Sequence, residues 1–313
     1  MRAFALEELG KPGSSAEVPM PEPSAGQVRI RVAAAGLNPF DVAVIQGYVK
    51  DQMEHRLPLI PGGDASGTVE AIGEGVLDRS IGDEVFGTAG KRYQGEGTLA
   101  EYATMSTATV ALKPASVQHV QAAAIPVAGV TALTMVEDAS ISDGDVVVAI
   151  GATGGVGSFL VQLAANRGAR VIAVASGTNA EYARALGASD VVDYGAGDVV
   201  DAVRSLAPDG VNVIAEMHGG DDSARLAELV RPGGRFVSAV GGADADSLKA
   251  REIEASNVMG MVATEPLETL AGMVEREEIQ IPEIRTFPLD QAAEALEQVA
   301  SGHTRGKVVV VRS

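Results

Sequence analysis

The chain has 313 residues, no cysteine and a formal charge of −18 at pH 7. That length admits two domains. The lack of cysteine excludes disulfides, thiolate catalysis and thiolate metal sites, and the acidic balance argues against a nucleic-acid backbone or an anionic membrane as partner. No apolar run is long enough to span a bilayer, and the first residues lack a signal peptide's apolar stretch, so the expected location is the cytoplasm.

Taken in order, residues 2–6 and 27–34 read as strands, separated by a Pro-, Gly- and Ser-rich loop over 11–25. Gly36-Leu-Asn-Pro-Phe-Asp41 breaks the strand pattern. Pro39 suits the first turn of a helix, and Asn38 suits its cap. Strand-like runs follow at 65–72, 83–86, 99–105 and 109–112, with a glycine-rich stretch at 87–97 expected to be mobile. This front part is all-β in character. A helix is expected over 120–137, broken around 126–129.

From Asp145 strands alternate with helices. Asp145-Val-Val-Val-Ala-Ile150 is apolar and β-branched without alternation, as in a parallel strand covered on both faces. The turn Gly151-Ala-Thr-Gly154-Gly155-Val156-Gly157 follows at once, then an amphipathic helix with Leu160, Leu163 and Ala164 on one face, then a second apolar run at 170–175. This strand–glycine turn–helix–strand unit is the context of a dinucleotide-binding turn. Bare backbone at Gly154 and Gly155 allows close approach of a pyrophosphate, Gly157 allows tight helix–strand packing, and the helix N-terminus offers free N–H groups. Further strands are expected at 191–194, 211–217, 234–240 and 258–263, with helices near 180–186, 199–206 and 223–230. The alternation marks a doubly wound parallel sheet. Helices at 267–276 and 291–300 and a strand at 306–311 follow. They are expected to return to the front domain, giving a discontinuous catalytic domain with the active site in the cleft between the two.

The end of the second parallel strand bears on cofactor choice. NAD enzymes usually carry a carboxylate there, bound to the ribose 2′-hydroxyl. Here the chain reads Ala175-Ser176-Gly177-Thr178-Asn179, with no carboxylate and with hydroxyl and amide donors suited to a 2′-phosphate. NADPH is therefore the expected cofactor. Arg184 lies nearby, either compensating for a missing cation or sitting on a solvated helix face.

Six motifs in order carry a resemblance: Gly36–Asp41, Pro61-Gly-Gly-Asp-Ala-Ser-Gly67, Gly82-Asp-Glu-Val85, Gly129-Val-Thr-Ala132, Gly151–Gly157 with Gln162, and Gly302-His-Thr-Arg-Gly-Lys307. Over nearly its whole length the chain resembles the medium-chain dehydrogenases/reductases of the zinc-free quinone oxidoreductase (zeta-crystallin-like) group. Thr153 replaces the group's usual Ala or Ser, and Ala165 a common Lys or Arg. The resemblance implies a GroES-like catalytic domain at 1–119 and 264–313 around a Rossmann domain at 120–263. It implies no metal, because Asn38 and Gly63-Asp64 stand where the zinc enzymes carry a cysteine and a His-Glu pair. The four histidines, His55, His119, His218 and His303, have no ligand spacing.

The resemblance further implies reduction of quinones or α,β-unsaturated carbonyls by hydride from NADPH. Enoyl-thioester reduction and a non-catalytic cofactor-binding role are the alternatives. Asn38 is the candidate to orient or polarise the substrate, and Asp41 to hold its loop. Tyr48 lies one residue earlier than the proton-donating tyrosine of related enoyl-thioester reductases, as donor or as aromatic wall of the pocket. Cofactor contacts are expected at Thr131, Thr153, Gly154, Gly155, Val156, Gly157, Ser176, Asn179 and Tyr194, and beyond strand ends at Met217, Val240 and Gly241. Arg305 and Lys307 form a basic pair that touches cofactor phosphate or ribose, or that lies plainly on the surface. A homodimer is expected through an apolar edge strand at 257–263.

Overall fold

The computed structural model describes residues 1–90 and 93–312. The strands in chain order are β1 Arg2–Ala5, β2 Ser14–Glu17, β3 Gln27–Leu37, β4 Glu54–Ile60, β5 Asp64–Ile72, β6 Glu84–Thr88, β7 Tyr93–Glu96, β8 Tyr102–Ser106, β9 Val110–Leu112, β10 Val146–Ile150, β11 Arg170–Ala175, β12 Asp190–Asp193, β13 Val211–Glu216, β14 Val230–Ser238, β15 Glu254–Asn257, β16 Ile284–Pro288 and β17 Lys307–Val311. The helices are α1 Pro39–Ile45, α2 His119–Ala122, α3 Pro126–Asp138, α4 Gly155–Asn166, α5 Ala180–Ala185, α6 Val199–Leu206, α7 Asp221–Ala227, α8 Ala245–Lys249, α9 Thr264–Glu275 and α10 Ala292–Ala300.

Two compact units result. The first comprises residues 1–127, 262–276 and 283–313, and the second 128–261 and 277–282. The division falls inside α3, eight residues later than the resemblance implies, and it returns 277–282 to the second unit. Hydrogen bonds account for that return: Gln162 on α4 donates to Gln280 O and accepts from Gln280 N, at 3.0 and 2.7 Å, and Asn166 donates to Glu278 O.

In the first unit a seven-stranded sheet runs β16-β17-β3-β5-β6-β9, with β8 also paired to β3. The long strand β3 is its spine. It pairs antiparallel with β17, β5 and β8. Val28, Ile30, Val69, Val85, Leu99, Met105, Val110, Val308 and Val310 form the core beneath it. Helix α10 adds Ala292, Ala295 and Leu296, the i, i+3, i+4 stripe of one face.

In the second unit six parallel strands run β12-β11-β10-β13-β14-β15, the strand order of a dinucleotide-binding sheet. The order reverses between β10 and β13, where β10 opens into the glycine turn. Residues Val147 to Ala149 have no exposed surface, as a strand covered by helices on both faces requires.

Several local expectations are corrected. Residues 258–263 are not a strand: the edge strand is Glu254–Asn257, which pairs with Arg235–Ser238 of β14. Because β14 ends at Ser238, the ladder runs out, and Val258 N makes its last bond to Ser238 O. Apolarity alone marked the wrong segment. The stretch 87–97 continues β6 to Thr88 and forms β7, which pairs with β4; its residues 91 and 92 lie outside the described residues. The loop expected over 11–25 contains β2, a polar strand without alternation that pairs with β1. The helix expected over 120–137 is interrupted at 123–125, slightly ahead of the expected place, and Pro126 starts α3, consistent with its missing N–H costing nothing in a first turn.

Candidate active site

Register builds the cluster around Asn38 in the first unit. At the end of β3, Gly36 faces Asp64 on one side and Leu37 faces Val308 on the other. One residue further, Asn38 therefore arrives between Asp64, the first residue of β5, and Lys307, the first residue of β17. Pro39 keeps Asn38 extended, at φ −132° and ψ 156°, and begins α1.

The Asn38 amide is engaged at both ends. Lys307 Nζ donates to Asn38 Oδ1 at 2.6 Å and to Leu37 O at 2.8 Å. Asn38 Nδ2 donates to Asp64 Oδ2 at 2.9 Å. Asp64 also accepts from Val127 N at 3.2 Å and lies 4.0 Å from the ammonium. Asp41 Oδ2 accepts from Asn38 N at 2.7 Å and so holds the helix start, as expected of it. Asn38, Asp41, Asp64 and Lys307 are all buried. An amide with one oxygen lone pair taken by a cation and one N–H taken by a carboxylate keeps one N–H donor and one weakened acceptor site.

Burial dominates the electrostatics. Loss of solvent raises Asp41 to about 7, against hydrogen bonding from Asn38 N–H and with repulsion from Asp64. It raises Asp64 to about 6, a smaller displacement because Lys307 and the Asn38 amide offset it. It lowers the Lys307 ammonium, which the two carboxylates partly restore.

The second unit carries the glycine turn. Gly151 has φ +80°, a conformation that side chains disfavour. A Cβ on Gly157 would collide with Gly151 O and the Ala152 backbone, so this glycine serves helix–strand packing as its position implies. A Cβ on Gly154 would meet nothing nearer than Gly151 O at 3.5 Å, so its bare backbone leaves space for a ligand. Gly154 caps the twelve-residue helix α4 without a side-chain bond to the first N–H groups. That helix start, which includes Gly155 and Val156, fits a dinucleotide phosphate.

Around it, Asn179 Nδ2 donates to Thr153 Oγ1 at 3.3 Å and Ser176 Oγ lies 3.0 Å from Thr178 Oγ1. Tyr194 is exposed just beyond β12, Met217 follows β13, and Val240 and Gly241 follow β14. All sit at carboxyl ends of parallel strands, where such sheets bind ligands. Thr131 is buried in α3, and Gly260 packs against its hydroxyl so tightly that no Cβ fits.

Three placements differ from expectation. Arg305 and Lys307 are not a pair: Arg305 bonds Glu283 at the surface, while Lys307 is buried beside Asn38. Tyr48 is 75% exposed, which does not make it an aromatic wall. A carboxylate does border the 176–179 loop. Asp193 is paired in register with Ala175, and its Oδ2 occupies the place a Cβ of Gly177 would take. Its Oδ1 accepts from Gly195 N. It comes from the third strand in sequence, not the second, so inspection of the loop alone misses it. Asp64 was singled out only as standing where zinc enzymes carry a metal ligand; its role as hydrogen-bond partner of Asn38 comes from strand register.

Two family models match. The alcohol dehydrogenase GroES-like domain matches residues 24–115, and the zinc-binding dehydrogenase model matches 186–310. An Arabidopsis thaliana protein, the chloroplastic NADPH-dependent alkenal/one oxidoreductase, is 32% identical over 299 residues, covering 93% of this chain and 73% of the relative. A quinone oxidoreductase structure from Coxiella burnetii superposes with a TM-score of 0.90 at 31% identity, covering 100% of this chain and 99% of that one. A structure titled NAD-dependent alcohol dehydrogenase matches with a TM-score of 0.90 at 30% identity and complete coverage of both chains.

The second model's description raises zinc, and the donors here do not fit it. The Asn38 oxygen is held by an ammonium, and no cysteine exists in the chain. Among the described residues no group of three or more His, Asp or Glu side chains is placed to hold a metal ion.

Proposed function

The chain belongs to the medium-chain dehydrogenase/reductase superfamily, in its quinone oxidoreductase group, and on that premise we propose that it is a zinc-independent, NADPH-dependent reductase of quinones or α,β-unsaturated carbonyls. The observation that carries the reading is the Asn38 amide, its orientation fixed by Lys307 and Asp64 with one N–H left to give. Bound nicotinamide supplies the hydride. Asn38 Nδ2–H then meets the oxygen on which charge accumulates, whether enolate or hydroquinone anion. A donor held in place before the reaction stabilises that charge without reorganisation. Such acceptors delocalise the charge themselves, so they need no metal to polarise them.

NADPH is supported by the donor-rich loop at Ser176, Thr178 and Asn179 and by the name of the Arabidopsis relative. Thr153, Gly154, Gly155, Val156 and Gly157 would hold the pyrophosphate, with Thr131, Met217, Val240 and Gly241 as further cofactor contacts. A homodimer goes with this reading, through the segment 257–263. There Met259 and Met261 are more than three-quarters exposed, and sedimentation at micromolar concentration tests it.

The deciding experiment is NADPH oxidation with a panel of quinones, enones and enoyl-CoA esters, with and without a chelator. Turnover of quinones or enones that is insensitive to the chelator is expected. Turnover confined to enoyl-CoA esters would give the site to thioester reduction, and binding of NADPH without any turnover would refute catalysis.

A further inference from the structure

Lys307 is buried in the first unit, and a buried ammonium is costly unless it is paired and hydrogen-bonded. Its hydrogen bonds go to a backbone oxygen, Leu37 O, and to one side-chain oxygen, Asn38 Oδ1, and its ion-pair partner Asp64 lies 4.0 Å away. Nothing in this arrangement turns Lys307 outward toward a phosphate. Its hydrogen bonds end on Asn38 and on the residue before it.

We infer that Lys307 is a positioning residue for the reaction, acting through Asn38 by locking its amide with Oδ1 inward and an Nδ2–H free. The inference rests on the reading of Asn38 as the substrate-facing donor. Two physical effects follow from the contact. First, the lock has two ends. Asp64 accepts from Nδ2 and Lys307 donates to Oδ1, so a flipped amide would set its oxygen against a carboxylate and its N–H groups against an ammonium. Second, a cation on the amide oxygen draws electron density from nitrogen, which strengthens the remaining N–H as a donor. Without Lys307 the amide oxygen would be buried without a partner, and the donor would lose both its aim and its polarisation.

The test is a double-mutant cycle on folded protein, with kcat and the NADPH dissociation constant measured for each variant. Lys307→Met is expected to lower kcat roughly tenfold to a hundredfold, the scale of a misplaced reacting group, while the NADPH dissociation constant stays within about twofold. In an Asn38→Ala background, where nothing is left to aim, Lys307→Met is expected to change kcat by less than about twofold. Lys307→Gln, which keeps an N–H donor without charge, is expected to recover part of the loss, and it replaces the methionine variant in the cycle should that variant not fold. Multiplicative losses in the cycle, or NADPH affinity falling in step with turnover, would overturn the inference and leave Asn38 in its role. An Asn38→Ala protein with undiminished kcat would instead overturn the reading of Asn38 itself.

Discussion

Lys307 Nζ lies 2.6 Å from Asn38 Oδ1, although 269 residues separate the two in the chain. That hydrogen bond decides what Asn38 can do. With an ammonium on its oxygen and a carboxylate on one N–H, the amide has a fixed orientation and one N–H left to give, and the chemistry proposed for the site is the chemistry of a donor facing a developing oxyanion.

Asn38→Ala is therefore expected to lower kcat for a quinone or enone about a hundredfold, as removal of a single oxyanion donor does elsewhere. NADPH affinity, measured by fluorescence titration, should stay near the wild-type value. A loss of affinity equal to the loss of kcat would place Asn38 on the cofactor.

The buried carboxylates predict a pH dependence of stability. Asp41 and Asp64 titrate near 3.8 in the unfolded chain but are raised by burial to about 7 and about 6 in the folded one. Between those limits the folded chain keeps protons that the unfolded chain has released. The contribution of these two groups to stability thus falls as pH rises from about 4 to about 7, and is fully lost above that. At roughly 1.4 kcal/mol per pKa unit, Asp41 alone accounts for a few kcal/mol. Asp41→Asn should gain in melting temperature relative to wild type as pH rises from about 5 to about 8. Parallel melting curves across that range would contradict the assignment.

The two glycines of the turn should separate packing from binding. Gly157→Ala drives a Cβ into Gly151 O and is expected to destabilise the fold. Gly154→Ala has room in the unliganded chain, so its melting temperature should change little while its affinity for NADPH falls. Thermal denaturation with and without NADPH measures both. Equal loss of stability in the two variants would deny the distinction.

How much of this was legible in the sequence depends on the range of the interaction. The glycine turn is local: strand, turn and helix are contiguous, so Gly151 to Gly157 and the sheet around them could be read directly. Asp41 and Asn38 are three residues apart, and the helix start they make was equally visible. The bonds of Asp64 and Lys307 to Asn38 were not, although both residues were singled out, because the pairing of β3 with β5 and β17 is what makes them partners of its amide. β17 reads Lys-Val-Val-Val-Val, so nothing in its pattern tells which face each residue takes. A lysine before a strand then looks like surface. The edge strand failed for the opposite reason: β15, Glu-Ala-Ser-Asn, has little apolar character and is a strand because β14 offers it a ladder.

Asp193 bears on cofactor choice. Its carboxylate stands against Gly177, beside the loop proposed to receive the 2′-phosphate, and would repel it. Asp193→Asn is expected to raise the preference for NADPH over NADH by roughly tenfold, equivalent to about 1.4 kcal/mol. The ratio of the two dissociation constants measures it, and an unchanged ratio would remove Asp193 from the site.

Tyr48, at 75% exposure, is expected to be dispensable. Tyr48→Phe should leave kcat within about twofold of wild type. A large loss confined to enone substrates, with quinones unaffected, would restore the phenol as a proton donor.

The discontinuity of the first unit has a consequence for how the protein is born. Ribosomes deliver Asn38 early and Lys307 only after the whole of 128–261 has been made. Until then β3 lacks the neighbour that closes its flank, and the amide waits without its cation. Contacts of such long sequence separation are slow to form. The nascent front half must therefore persist as an open, incomplete sheet while the nucleotide-binding half is being synthesised, and competence for chemistry should be the last property the new chain acquires.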